Sequence, residues 1–173
     1  MGDEALALKD DIARLIHQEE TLRFSRFDEE DAWTLGELMR KRAAERKLPL
    51  VIDIRHKGRP LFYAALAGTS PDNPEWVRRK CNVVFRYHRS SYRMGRELAL
   101  KGKELGVGDG VDPAEYATHG GGFRIHVKGV GIVGAVTVSG IPQRDDHNFT
   151  IEMISEFLNI PYDEVKLGPE TTA

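Results

Sequence analysis

Two glycine-bearing stretches of the sequence carry side chains that could bind or transform a ligand. His119 is followed by three glycines, 120–122, ahead of a predicted strand. Such glycines let the backbone approach a ligand closely and turn its amides toward an anion. Ser139 and Gly140 end the most apolar predicted strand and lead into a helix, a junction that presents a hydroxyl and backbone amides. Alternatively, the glycines have only a structural role in turns, and His119 is an ordinary polar residue of the loop.

A basic segment is the third candidate. Between Trp76 and Lys103, nine residues are Lys or Arg and one, Glu97, is acidic, whereas residues 3–31 hold ten acids and four bases. Arginines at helical spacing can bind an anionic ligand through paired hydrogen bonds. They can equally pair with the acidic N-terminal helices of the same or a neighbouring subunit. The face that this spacing predicts carries Arg78, Asn82, Arg86, Arg89, Arg93 and Arg96.

Together the three stretches predict one site for a small anion. In it, Arg79 and Lys80 neutralise the charge of the ligand. Loop amides at Gly121 and Gly140 position the anion, and His119 donates a hydrogen bond. The expected ligand-binding residues are Trp76, Arg79, Lys80, His119, Gly121, Ser139 and Gly140.

A histidine-dependent enzyme is the second hypothesis. The ordinary pKa of histidine suits a general acid or base, and His119 and His147 are the catalytic candidates. Asp145 and Asp146 precede His147 and, with two histidines, could bind a divalent ion. Acids in the first turn of a helix are also favoured by the helix dipole alone. We therefore predict no metal site and name no cofactor.

The run from Gly129 to Gly134 matches G-x-G-x-x-G, the pattern of dinucleotide-binding loops. A dinucleotide-binding loop requires a helix that begins within this run, so that the N-terminus of the helix can bind a pyrophosphate. Here the run lies between two predicted strands, at 123–127 and 132–139, and continues directly into the second. We interpret the glycines as a hairpin turn.

Hydrophobic periodicity predicts the elements that must position these residues. Helices are expected at residues 3–20, 28–47, 74–101, 113–117 and 143–158. Strands are expected at residues 22–24, 50–54, 60–66, 123–127 and 132–139. Two hairpins and one extra strand predict an α/β (α+β) fold: a mainly antiparallel sheet of about five strands, profilin- or PAS-like, with helices packed on its faces in a single domain.

The composition is that of an ordinary globular chain of 173 residues, 40% of them hydrophobic. The net charge of −2 provides no general basic field for nucleic acid. The longest apolar stretch, 130–138, is too short to cross a bilayer. We expect no nucleic-acid or membrane partner. A single cysteine, Cys81, and an acidic N-terminus without a signal-peptide pattern predict a cytoplasmic location.

The run 119–140, followed by residues 145–147, resembles the GlcG/HbpS-type domains called "haem-degrading", in particular the short branch of that superfamily. Further matches to this branch lie at 53–55, 61–64, 69–73, 76–80 and 90–91. The resemblance implies an α/β fold with a five-stranded antiparallel sheet, and a homo-oligomer. Haem is implied by the family name alone. The domain division expected is an N-terminal helical arm at 1–15, the GlcG/HbpS-like domain at 16–160 and a C-terminal tail at 161–173.

The function expected is the binding of a small anionic ligand by a cytoplasmic homo-oligomer. A His-dependent enzyme, with or without a metal ion, is one alternative. The other is a structural or adaptor assembly in which the basic helix holds subunits together. In that case added salt would screen the ion pairs and lower the molecular mass.

Overall fold

The computed structural model of the chain describes residues 2–170. Its helices are α1 (Asp3–Thr21), α2 (Glu29–Glu45), α3 (Asp72–Tyr87), α4 (Ser91–Leu100) and α5 (Gln143–Phe157). Its strands are β1 (Val51–His56), β2 (Arg59–Ala65), β3 (Gly122–Val127) and β4 (Gly131–Ser139). Short 3-10 helices lie at Val107–Asp109, Pro113–Glu115 and Tyr162–Glu164.

The four strands form one antiparallel sheet in the order β2-β1-β4-β3. Both predicted hairpins are confirmed, and the glycines from Gly129 to Gly134 serve the turn between β3 and β4 and the start of β4. The fifth strand expected at 22–24 is wrong. Phe24 makes only an isolated parallel bridge to Val127, because the chain leaves the sheet toward the helix cap at Asp28. Its fully buried ring anchors the segment in the core.

The two faces of the sheet bury different partners, as the alternation of side chains along a strand requires. Ile52 and Ile54 of β1 point into the main core, which α2 and α5 cover. Asp53, between them, points to the face that α3 covers. On that face Cys81 of α3 packs against Ala135 of β4. Helix α3 is thus held directly over the central strands β1 and β4.

The single helix expected at 74–101 is wrong: it is two helices. Helix α3 ends at Tyr87 because His88 adopts a left-handed conformation, with φ of 56°. Ser90 then starts α4, since its side chain accepts a hydrogen bond from the amide of Arg93 at 3.1 Å. The continuous arginine face of the sequence is therefore divided between two helices.

The basic helix α4 pairs with the acidic helix α1 of the same chain. Arg93 contacts Glu19 at 2.5 Å, and Arg96 lies 3.5 Å from Asp11. Arg144 of α5 also reaches Asp11, at 2.7 Å. Internal pairing, one of the two expectations for the basic segment, accounts for these arginines.

Helix α1 runs without a break across the expected arm boundary at residue 15. Leu15 is fully buried against Tyr92 and Leu167. In the expected tail, Val165 and Leu167 are buried, and residues 171–173 lie outside the described part of the chain. Within residues 2–170, none of the helices combines the length and the apolar character that a membrane crossing requires.

Candidate functional site

The N-terminal half of α3, the glycine-rich loop before β3, and the junction of β4 with α5 enclose a cleft of about 280 Å³. This is where three distant stretches of sequence meet. Five of the seven expected ligand-binding residues line it: Trp76, Lys80, His119, Ser139 and Gly140. The other lining residues are Asn73, Ile141, Gln143 and Asp146.

A buried ion pair forms one wall of the cleft. The Nζ atom of Lys80 donates to Asp146 Oδ2 and to the carbonyl oxygen of Val138, both at 3.1 Å. Each charged side chain is only 3% exposed. Burial lowers the pKa of Lys80 although Asp146 opposes this change. Burial also raises the pKa of Asp146 to about 6, against the opposing effect of Lys80.

A backbone amide at the junction of β4 and α5 holds Asp146. The amide of Ile141 donates to Asp146 Oδ1 at 3.3 Å, and the neighbouring amide of Gly140 helps to lower the pKa of this carboxylate. The role expected for the Gly140 amide, positioning a ligand, stays a prediction. The strand–helix junction is an anion nest, and its anion is a side chain of the same protein.

Gly121 packs behind the ion pair and does not line the cleft. Its carbonyl accepts hydrogen bonds from Thr150 Oγ1 at 3.1 Å and from the amide of Val138 at 3.2 Å. A Cβ atom here would overlap the Val138 carbonyl oxygen and lie 2.9 Å from Lys80 Nζ, and φ is +135°. The glycine is required so that the loop can approach Lys80, and its expected ligand-binding amide plays no part in the cleft wall.

Arg79 lies at the edge of the cleft rather than in its wall. Its guanidinium stacks over the Trp76 ring at 4.8 Å and donates to the carbonyl oxygens of Pro113 and Tyr116. Trp76 also makes an edge-to-face contact with His119, with ring centroids 5.1 Å apart. Burial, Lys80 and Arg79 together lower the pKa of His119, so its ring is neutral at pH 7.

The cleft wall carries side-chain hydrogen-bond donors without a partner in the described part of the protein. Gln143 Oε1 accepts from the amide of Gly120 at 3.2 Å, and Asn73 Oδ1 accepts from the amide of Ser70 at 2.8 Å. The NH₂ groups of both side chains have no hydrogen-bond partner within residues 2–170. Within residues 2–170, no hydrogen bond engages the Ser139 hydroxyl or the His119 ring. We call this cavity the donor-rich cleft.

His147, the second catalytic candidate, lies outside the cleft. It is fully buried, its Nε2 atom pairs with Gln18 Oε1 at 2.8 Å, and its ring packs on Tyr92 at 5.1 Å. Burial, with Arg144 nearby, lowers its pKa to about 3. Across residues 2–170 no cluster of three potential metal ligands forms.

Asn73 and Gln143 are functional candidates that the sequence did not reveal. In a single sequence, Asn73 ahead of Pro74 indicates only the start of a helix, and α3 begins one residue earlier, at Asp72. Gln143 carries no signal in a single sequence. The sequence offers Asp146 as an acid in a first helical turn or as a possible metal ligand, and not as the partner of a lysine. Its pairing with Lys80, 66 positions away, is a tertiary contact.

Comparison with known proteins places these features in a family. A family model described as "Haem degrading protein HbpS-like" matches residues 27–155. A UPF0303 protein of Sinorhizobium medicae is 52% identical over 160 residues, covering 92% of this chain and 98% of its own. One from Acidobacterium capsulatum is 51% identical, covering 94% and 98%.

Solved structures share the fold. The crystal structure of the Ybr137w protein superposes with a TM-score of 0.77 at 30% identity, covering 86% of this chain and 87% of that one. HbpS gives 0.61 at 17% identity, with 79% and 92% covered. A PduOC:heme complex gives 0.64 at 17%, with 79% and 97% covered. The last two likenesses concern the fold alone.

Proposed function

The chain belongs to the HbpS-like haem-degrading family, and from that premise we propose that its donor-rich cleft binds a small organic anion such as a short carboxylate. The observation that carries this proposal is the surplus of donors. Both carboxylate oxygens of Asp146 and the amide oxygens of Asn73 and Gln143 are already engaged within the protein. A ligand in the cleft therefore meets unpaired N–H and O–H groups, and acceptor-rich anions satisfy them best.

The charges around the cleft also favour an anion. Lys80 and Asp146 neutralise each other, whereas the guanidinium of Arg79 behind Trp76 is opposed by no carboxylate within ion-pair distance in residues 2–170. This guanidinium can attract an anion, and the carboxylate of Asp72, which accepts a hydrogen bond from Trp76 Nε1 at 3.0 Å, reduces that attraction. The volume of about 280 Å³ restricts the ligand to a small molecule.

Haem, which the family name implies, does not fit either cleft beside His119. The donor-rich cleft lies below the range of about 300–1,000 Å³ in which pockets enclose larger ligands. A second cleft of about 740 Å³ shares His119 but is lined largely by polar and charged groups, including Arg96, Lys103 and Glu104. An enclosed haem requires a predominantly apolar pocket beside its axial ligand.

The ligand prediction is tested by titration calorimetry with lactate, inorganic phosphate and the neutral isostere lactamide. We expect lactate to bind and lactamide to bind at least about tenfold more weakly, because the charged acceptor strengthens each hydrogen bond. Removing one donor by Ser139→Ala or Gln143→Ala weakens lactate binding about tenfold. The matched control Ser25→Ala changes an exposed serine outside the cleft and leaves binding unchanged. Equal affinity for lactate and lactamide, or variants that bind like the control, would exclude the proposal.

As part of the same proposal, the protein assembles with further copies of itself through the edge strand β2. Beside this strand, Trp33 is 53% and Tyr63 is 51% exposed. An unpaired strand edge with exposed aromatic side chains is a favourable surface for a second subunit. The arginines of α4 are paired within the chain, so the contact we propose is apolar.

Light scattering checks this assembly. We expect a mass above that of one chain, unchanged by salt, and a shift to the mass of a single chain in the variant Trp33→Arg. The control Leu6→Arg alters an exposed apolar residue on α1 and keeps the larger mass. A single-chain mass for the unmodified protein, or dissociation by salt, contradicts the apolar contact.

We place this function in the cytoplasm. The single cysteine, Cys81, is buried, and desolvation with the nearby Asp53 raises its pKa to about 12. It therefore stays a thiol and packs as a small apolar side chain, in keeping with a reducing compartment.

A further inference from the structure

We infer that Lys80 forms an imine with the carbonyl carbon of a small 2-oxo acid held in the donor-rich cleft. This activity rests on the anion binding proposed above and adds a reaction to it. The carboxylate of such a ligand meets the free donors of Ser139 and Gln143. Its carbonyl group then shares the cleft with the Lys80 side chain.

The position of Lys80 supports this role. It is the lysine that lines the cleft, and its Nζ atom lies 3.1 Å from a carboxylate oxygen of Asp146. A Cβ atom on Gly121 would lie 2.9 Å from the same Nζ atom, so the glycine lets the loop pack closely behind the amine and hold it against Asp146. Buried ammonium groups are costly, and one placed in a cleft beside a proton acceptor is a candidate for amine chemistry.

The Lys80–Asp146 pair can supply an uncharged amine. Burial lowers the pKa of Lys80 and raises that of Asp146 to about 6, so the two values approach each other. A proton passing from Nζ to Oδ2 leaves a free electron pair on nitrogen and a neutral carboxylic acid. Both charges of the pair disappear together, which suits a buried site.

The step balances without an oxidant or reductant. The nitrogen electron pair forms a bond to the carbonyl carbon, and the C=O π electrons move to oxygen, which takes the proton from Asp146. Asp146 next accepts a proton from nitrogen and returns it to the hydroxyl, which leaves as water. The product is a protonated imine whose N–H faces the regenerated carboxylate of Asp146, so the ion pair is preserved.

Reductive trapping tests the inference on the unmodified protein. The protein is incubated with pyruvate and sodium cyanoborohydride, digested and analysed by mass spectrometry. We expect a carboxyethyl group on Lys80, formed about tenfold faster than on the exposed Lys57 and Lys103, and suppressed by excess lactate. No adduct on Lys80, or labelling no faster than at the two exposed lysines, would overturn the inference.

Asp146→Asn tests the proton transfer. The amide preserves a hydrogen bond to Lys80 but cannot carry its proton, so we expect trapping to fall about a hundredfold. Circular dichroism verifies that the variant is folded. Trapping by this variant at the unmodified rate would refute the role of Asp146. If the unmodified protein binds lactate but shows no trapping, the imine inference alone is rejected. If it shows neither, the proposed function is rejected as well.

Discussion

Lys80→Met lowers the free energy of unfolding by about 3–5 kcal/mol at pH 7.5, measured by urea denaturation. The substitution keeps the apolar stem but leaves the carboxylate of Asp146 without its cation. That carboxylate is only 3% exposed, so water cannot replace the lost partner. The loop amide of Ile141 that donates to it compensates for only part of the charge.

The double variant Lys80→Met/Asp146→Leu distinguishes a buried charge from lost packing. We expect it to recover most of the stability, because both charges leave the interior together. Arg59→Met is the matched control, since it breaks the fully exposed pair with Glu29 and changes stability little. A single variant no less stable than the control would show that Lys80 and Asp146 do not depend on each other.

His147→Gln changes the response of stability to acid. Folded His147 stays neutral down to about pH 3 because it is fully buried, whereas a histidine in the unfolded chain takes up a proton near pH 6.5. At pH 4 the unfolded state therefore binds a proton that the folded state does not, and the unmodified protein loses about 3 kcal/mol from this residue. Glutamine does not titrate and can keep a hydrogen bond to Gln18.

The measurement is the difference in unfolding free energy between the two proteins at pH 7.5 and pH 4. His147 faces Gln18 of α1, Tyr92 of α4 and the cation Arg144 of its own helix. Asp146 acts in the opposite direction, since its raised pKa stabilises the folded state as the pH falls through about 6. Subtracting the two curves cancels Asp146. A difference that is the same at both pH values would contradict the neutral, buried state of His147.

Much of the fold could be predicted from the sequence, because periodicity and turn residues are local signals. The capping box at Asp28 and the hairpin glycines around Gly129 belong to this class. The break after α3 was missed although Ser90 is a common N-cap residue, since the arginine pattern continues through it. The predicted strand at Phe24 is wrong, because Phe24 makes only a single bridge to Val127, which tertiary packing determines.

The candidate site was predictable only in part. Its loops could be recognised because glycines next to His119 and Ser139 mark close approaches of the backbone. The carboxylate that occupies the anion nest, that of Asp146, could not be predicted, because Lys80 and Asp146 come together only when the sheet has formed. The sequence therefore predicts an external anion beside a junction where the amide of Ile141 and the amine of Lys80 already bind Asp146.

Nuclear magnetic resonance of the side-chain amide groups tests the central claim most directly, that unpaired donors in the cleft bind a small carboxylate. Titration of ¹⁵N-labelled protein with lactate should shift the NH₂ signals of Asn73 and Gln143, with saturation, while lactamide leaves them nearly unchanged. The Trp33 indole signal, outside the cleft, should stay in place. Unmoved signals of Asn73 and Gln143 at saturating lactate would contradict the account.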